Sequence, residues 1–193
     1  MLSPDEIARR FSEVQRAVGP NVTVVAATKY VSLADMAALV DAGVRVVGEN
    51  RAQDLDAKHA EYGDAFEWHF IGHLQSNKVN VINRACTLVH SLDSHSAARK
   101  LTVPALVQVN LAGEPSKSGV DPADIASYDA VGLSTMPPAA ADPDSSRPWF
   151  RELAELATEH GLRELSMGTT QDFRVAAEEG ATYVRVGSVL FAE

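Results

Sequence analysis

One cysteine, Cys86, is too few for an internal disulfide, so the chain is no disulfide-stapled scaffold and a reduced core thiol is expected. It has no run of about 18 apolar residues, so no membrane-spanning helix is expected. Basic residues are few: 17 Lys and Arg stand against 26 Asp and Glu, a formal charge of −9. With no long basic run, that balance argues against general nucleic-acid binding. The opening MLSPDEIARRF carries early acids and no apolar stretch, so it does not read as a secretory signal. A cytoplasmic location is the expectation. What is present is 193 residues, 46% hydrophobic and 22% charged, the balance of one globular domain over 1–193. No broad apolar face stands out, so a monomer is expected.

Ser3-Pro4-Asp5-Glu6 reads as a helix start, with Ser3 as cap, Pro4 at the first helical position and Glu6 completing a capping box. That helix should end near Val18, at Gly19-Pro20. From there β-rich runs and helical patterns alternate. Strands are predicted at 22–28, 45–48, 67–72, 87–92, 105–110, 130–135, 164–168 and 183–187. Helices are predicted at 33–42, 51–62, 76–83, 94–100, 147–160 and 171–179. Strand-then-helix repetition implies parallel strands joined by right-handed crossovers. Eight strands predict an α/β fold, a closed (β/α)8 TIM-type barrel, with an open doubly wound sheet as the alternative. Two places fit less well. The stretch 121–128 holds at best two helical turns, and 137–148 (PPAAADPDSSRP) reads as a loop.

In such barrels the chemistry lies at the C-terminal ends of the strands. Lys29 closes VTVVAAT, at the edge of low-dielectric space where desolvation favours Schiff-base chemistry; a lysine snorkelling to solvent would look the same. Gly168-Thr169-Thr170 precedes a helix, which suits a phosphate, or an ordinary cap with Thr170 as the N-cap. In YVRVGS, alternation sends Val184 and Val186 outward and Arg185 into the barrel. There Arg185 needs an acceptor, for which a structural pair with Glu49 would serve. Gly187 lets a backbone come close to a ligand, and Ser188 adds a hydroxyl. The last two clusters follow strands seven and eight, where barrel phosphate sites recur. An amine, a phosphate cradle and an inward arginine together describe a pyridoxal phosphate site.

The chain resembles the pyridoxal phosphate homeostasis proteins, which are similar in fold to the N-terminal barrel domain of alanine racemase. The resemblance rests on AATKY at 26–30, VGENRAQ at 47–53, WHFIGHLQSNK at 68–78 and HSLDS at 90–94, in order along the chain. It continues through VQVNLAGEPSKSG at 107–119, VGLSTMPP at 131–138, LSMGTTQDF at 165–173 and VRVGSVLF at 184–191. It implies pyridoxal 5'-phosphate held as an aldimine on Lys29, with Arg185 facing the pyridine nitrogen. Thr170, Gly187 and Ser188 would hold the phosphate, and Asn50 would lie near the ring or its phenolic oxygen. The chain departs from the family in three places. Thr169-Thr170 stands where Met-Ser is usual, the segment after Lys117-Ser118-Gly119 is much shortened, and the sequence stops at Phe191-Ala192-Glu193 where relatives continue.

The implied role is cofactor homeostasis and transfer rather than turnover, with recipient enzymes as partners. A charged Arg185 leaves the pyridine nitrogen unprotonated and the ring a weaker electron sink. Racemases of this fold also draw a second base from a C-terminal domain, which this chain is not expected to supply. His69, His73 and Tyr30, placed near the mouth, are the candidate internal bases. Two alternatives stay open: a slow racemase or lyase using the same cofactor, and a Schiff-base aldolase-type barrel using Lys29 on a sugar phosphate.

Overall fold

The computed structural model describes residues 2–114 and 118–192; Lys117 lies outside them. Helix α1 (Pro4–Val18) starts as the sequence predicts, with the Ser3 hydroxyl accepting from the Glu6 N–H at 3.3 Å. The capping box stays half-made. Glu6 turns its carboxylate to Arg9 and Arg10, at 2.6 and 2.8 Å, because two guanidiniums on the same face outcompete one backbone donor.

The barrel follows as β1 (Thr23–Ala27), α2 (Met36–Asp41), β2 (Val46–Glu49), α3 (Ala52–Tyr62), β3 (Glu67–Phe70), α4 (Val79–Ala85), β4 (Leu88–Leu92) and α5 (His95–Ala98). It continues with β5 (Ala105–Gln108), β6 (Gly132–Ser134), α6 (Arg147–Glu159), β7 (Glu164–Thr169), α7 (Phe173–Glu178), β8 (Tyr183–Val186) and α8 (Ser188–Phe191). All eight strands are parallel, in sequence order, and β1 pairs with both β2 and β8. The sheet therefore closes, and the open doubly wound alternative is excluded. Between β5 and β6 the crossover is a 3₁₀ segment, Pro122–Ser127, with the bridge Val109↔Val120 beside it. Ile125 of that segment is buried in the hydrophobic core, while Val131, just before β6, stays exposed. The proline-rich loop is partly ordered, as a 3₁₀ turn at Pro143–Ser146 running directly into α6.

Alternation along the strands sorts the side chains. Val24, Ala26, Val47, Trp68, Phe70, Val107, Leu133, Met167, Val184 and Val186 pack outward with Ile7, Leu39, Leu55, Ile82, Phe150 and Leu153 of the helices. The main hydrophobic core is this annulus between sheet and helices. The barrel interior is more polar than the branched aliphatic filling usual for the fold. His90 reaches Ser166 across it, His69 bonds His90, and the Tyr183 ring packs against both imidazoles.

Candidate functional site

β1 ends in Thr28, which is tied down before the chain reaches Lys29. The Thr28 hydroxyl donates to Glu49 at 2.5 Å, and the Lys58 ammonium donates to the Thr28 carbonyl at 2.9 Å and to Glu49 at 2.6 Å. This buried cluster clamps the ends of β1 and β2, from which Lys29 and Asn50 emerge. Sequence reasoning missed Lys58; a lysine inside an otherwise ordinary helical pattern gives no sign that it turns inward. Glu49 pairs with Lys58 rather than with Arg185.

At the C-terminal end of the strands lies a cavity of about 520 Å³. Lys29, Asn50, Thr170, Arg185, Gly187 and Ser188 all line it, with Tyr30, Ile71, Met136, Gln171 and Phe191 completing most of the wall. Six residues scattered from 29 to 188 thus meet in one chamber. Lys29 is more exposed than its strand-end position implied: its ammonium sits 4.7 Å from the centre of the Tyr30 ring, at the rim, rather than withdrawn from solvent. A strand end at the mouth of a barrel borders solvent as well as protein, so the apolar run before Lys29 does not desolvate it.

Arg185 is buried, as an inward residue must be. Its acceptor is the Thr135 carbonyl at 2.8 Å, and its Nε has no hydrogen-bond partner among the described residues. Burial pushes the guanidinium down to about 10, against the attraction of Asp172. Asn50 Oδ1 is likewise buried without a hydrogen-bond partner among the described residues. Thr170 is not the helix cap. Asp172 takes that position and accepts from the Thr169 N–H and hydroxyl, at 2.7 and 3.1 Å. This frees Thr170 to turn toward β8, where its hydroxyl accepts from the Gly187 N–H at 3.1 Å and keeps its own O–H to donate. Gly168 holds a positive φ of 90°, and a Cβ there would lie 2.5 Å from Ala176, so the bend into this loop requires glycine.

The expected internal bases are dispersed. His69 is buried inside the barrel and lines no part of the cavity. His73 is exposed, 3.8 Å from Asp93. Only Tyr30 stands at the mouth. Among the described residues the cavity wall carries no histidine, cysteine or carboxylate.

No family model matches the chain. The pyridoxal phosphate homeostasis protein of Aquifex aeolicus is 35% identical over 221 aligned positions, spanning 98% of this chain and 97% of that one. The chain belongs to the pyridoxal phosphate homeostasis protein family. A solved family structure is similar throughout: PipY of Synechococcus elongatus, with PLP bound, superposes with a TM-score of 0.86 at 32% identity, covering 96% of this chain and 100% of that one. Alanine racemase of Corynebacterium glutamicum shares the fold, with a TM-score of 0.74 at 17% identity over 98% of this chain and 61% of the racemase. The family and the barrel were both expected from the sequence. Among the described residues no helix is long and apolar enough to cross a membrane.

Proposed function

We propose that this chain binds pyridoxal 5'-phosphate on Lys29 and serves in its homeostasis and transfer, as one barrel domain over residues 1–193. The observation that carries the reading is the convergence of Lys29, Asn50, Thr170, Arg185, Gly187 and Ser188 on one cavity. The chamber fits the cofactor on three counts. Two buried polar atoms, Arg185 Nε and Asn50 Oδ1, await partners. Thr170 offers a free O–H beside Gly187 and Ser188. A Cβ at Gly187 would come within 3.3 Å of the Ala27 carbonyl, so glycine keeps this wall open.

Pyridoxal phosphate, when bound, supplies an aldehyde that condenses reversibly with a primary amine. Lys29 is the amine that holds it. Thr170, Ser188 and the Gly187 backbone bind the phosphate. Arg185 stays protonated and faces the ring nitrogen as a donor, which keeps that nitrogen from taking a proton. Asn50 orients the ring. Among the described residues the wall has one amine, one phenol and no carboxylate or imidazole, which favours holding the cofactor over turning substrates over.

The purified chain is expected to bind the cofactor with visible absorption that borohydride bleaches, leaving a reduced pyridoxyl adduct on Lys29. Lys29→Ala should lose that absorption. Retention of the same band by Lys29→Ala would overturn the reading. The placement of Tyr30 beside Lys29 favours one second reading, a slow racemase with the phenol as second acid–base. Chiral analysis after incubation with single-enantiomer amino acids separates the two. Turnover of roughly 1 per second or more would make the chain an enzyme.

A further inference from the structure

The loop that leaves β7 is held by one carboxylate whose bonds run away from the helix it starts. Asp172 stands at the N-cap position of α7, yet its side chain accepts no N–H of that helix. It turns back instead. Oδ1 accepts from the Thr169 N–H at 2.7 Å and from the Thr169 hydroxyl at 3.1 Å, and Oδ2 accepts from the Ser146 hydroxyl at 2.7 Å. Asp172 and Ser146 are both buried. A buried carboxylate is costly unless it is bonded, so these three donors fix its position and it fixes theirs.

The Ser146 bond crosses a gap. Ser146 ends the 3₁₀ turn Pro143–Ser146 in the loop after β6, and Thr169 ends β7. Between the two loops lies a second recess of about 190 Å³, with Pro138 and Pro143 on its wall beside Thr169 and Asp172. Met136 and Thr169 belong to its wall and to that of the cofactor chamber. Groups separated by a void lose the dispersion contacts that would hold them together. The placing of one loop against the other therefore falls to the directional bond between Ser146 and Asp172.

Thr170 is the residue this settles. Threonine and aspartate both cap helices, and aspartate does so better. With Asp172 at the cap, the Thr170 hydroxyl accepts from the Gly187 N–H at 3.1 Å and keeps its O–H to donate at the chamber wall. Without the Asp172 carboxylate, Thr170 is free to take the capping role that its place in the sequence suggests, and its hydroxyl would leave Gly187.

We propose that Asp172 is the positioning residue for the phosphate end of the chamber: by tying Thr169 to Ser146 it holds the Thr170 hydroxyl beside Gly187 and Ser188, and so sets the preference for the phosphorylated cofactor over pyridoxal. This rests on the cofactor reading above. Asp172 does not line the chamber and acts through Thr169 and Thr170. Its loss should fall on the phosphate and spare the aldehyde end, where Lys29 and Asn50 follow β1 and β2.

The test compares the dissociation constants of the full chain for pyridoxal 5'-phosphate and for pyridoxal, read from the aldimine absorption. Pyridoxal closes to an internal hemiacetal, but that loss is the same for every variant and cancels in the comparison. Asp172→Ala should weaken binding of the phosphorylated form on the order of tenfold, as for one lost hydrogen bond to a charged group, and of pyridoxal by less than about twofold. In a Thr170→Ala background Asp172→Ala should cost nothing further, because both act through one hydroxyl. Asp172→Asn keeps an acceptor for Thr169 and offers an amide donor to Ser146, so it should stay within about threefold of wild type. Equal losses for the two ligands, additive losses at 170 and 172, or an unchanged preference in Asp172→Ala would overturn the proposal. Ser146→Ala leaves Thr169 bonded and should shift the preference the same way by about two- to threefold. It decides the question should Asp172→Ala not fold, and an unchanged preference in it would then overturn the proposal. Failure of wild type to bind pyridoxal phosphate would instead sink the cofactor reading.

Discussion

Lys58 and Glu49 meet at 2.6 Å with their side chains 6% and 0% exposed, and the same ammonium holds the carbonyl of the residue before Lys29. The pair joins a helix to two strand ends, so its geometry sets where Lys29 and Asn50 leave the sheet. Glu49 Oε2 already lacks a hydrogen-bond partner among the described residues. Lys58→Met would leave the Glu49 charge buried with no cation, holding only the Thr28 hydroxyl, and should cost about 3–5 kcal/mol in urea denaturation. Glu49→Leu/Lys58→Met, which removes both charges, should recover most of that loss. A double variant as weak as the single one would show that the ion pair is not what matters here.

Arg185 should weaken the fold that carries it. It is buried with one carbonyl as its hydrogen-bond partner among the described residues, and its pKa is pushed down to about 10. A cation whose folded-state pKa is depressed destabilises the fold wherever it is charged. That cost is full below pH about 10 and fades as pH climbs from there toward the ordinary guanidinium range. Arg185→Met should therefore stabilise the unliganded chain near pH 7 by about 1–3 kcal/mol while weakening cofactor binding. Thermal unfolding with and without pyridoxal phosphate measures both. A variant less stable in the absence of cofactor contradicts this account.

The two interior histidines make an opposite prediction for acid. Burial holds both below the usual range. The unfolded chain protonates them near their ordinary value of 6.5, whereas the fold resists. The stability they contribute is present above pH 6.5 and is lost as pH falls from there toward their folded values. Each imidazole should steepen the loss by up to about 1.4 kcal/mol per pH unit. The unliganded His69→Asn/His90→Asn chain should show a flatter stability profile between pH 6.5 and 5. Superimposable profiles for it and wild type would refute this.

The sequence determined most of the architecture because its signals are local. Eight β-rich runs separated by helical patterns fix a strand count, and alternation within YVRV places Arg185 against its valine neighbours. Ordered motifs identified the family, and position at strand ends picked out Lys29, Asn50, Thr170, Gly187 and Ser188. Only the tertiary structure decided what those side chains meet. Lys58 turns inward, Asp172 displaces Thr170 as the cap, and His69 leaves the mouth to bond His90 inside the barrel. These pairings join residues 9 to 21 positions apart or, at the cap, three competing neighbours. A hydrogen bond is chosen by distance and desolvation in three dimensions, and barrel closure sets both. One strand's pattern gives the direction of a side chain, while its partner comes from other strands and helices.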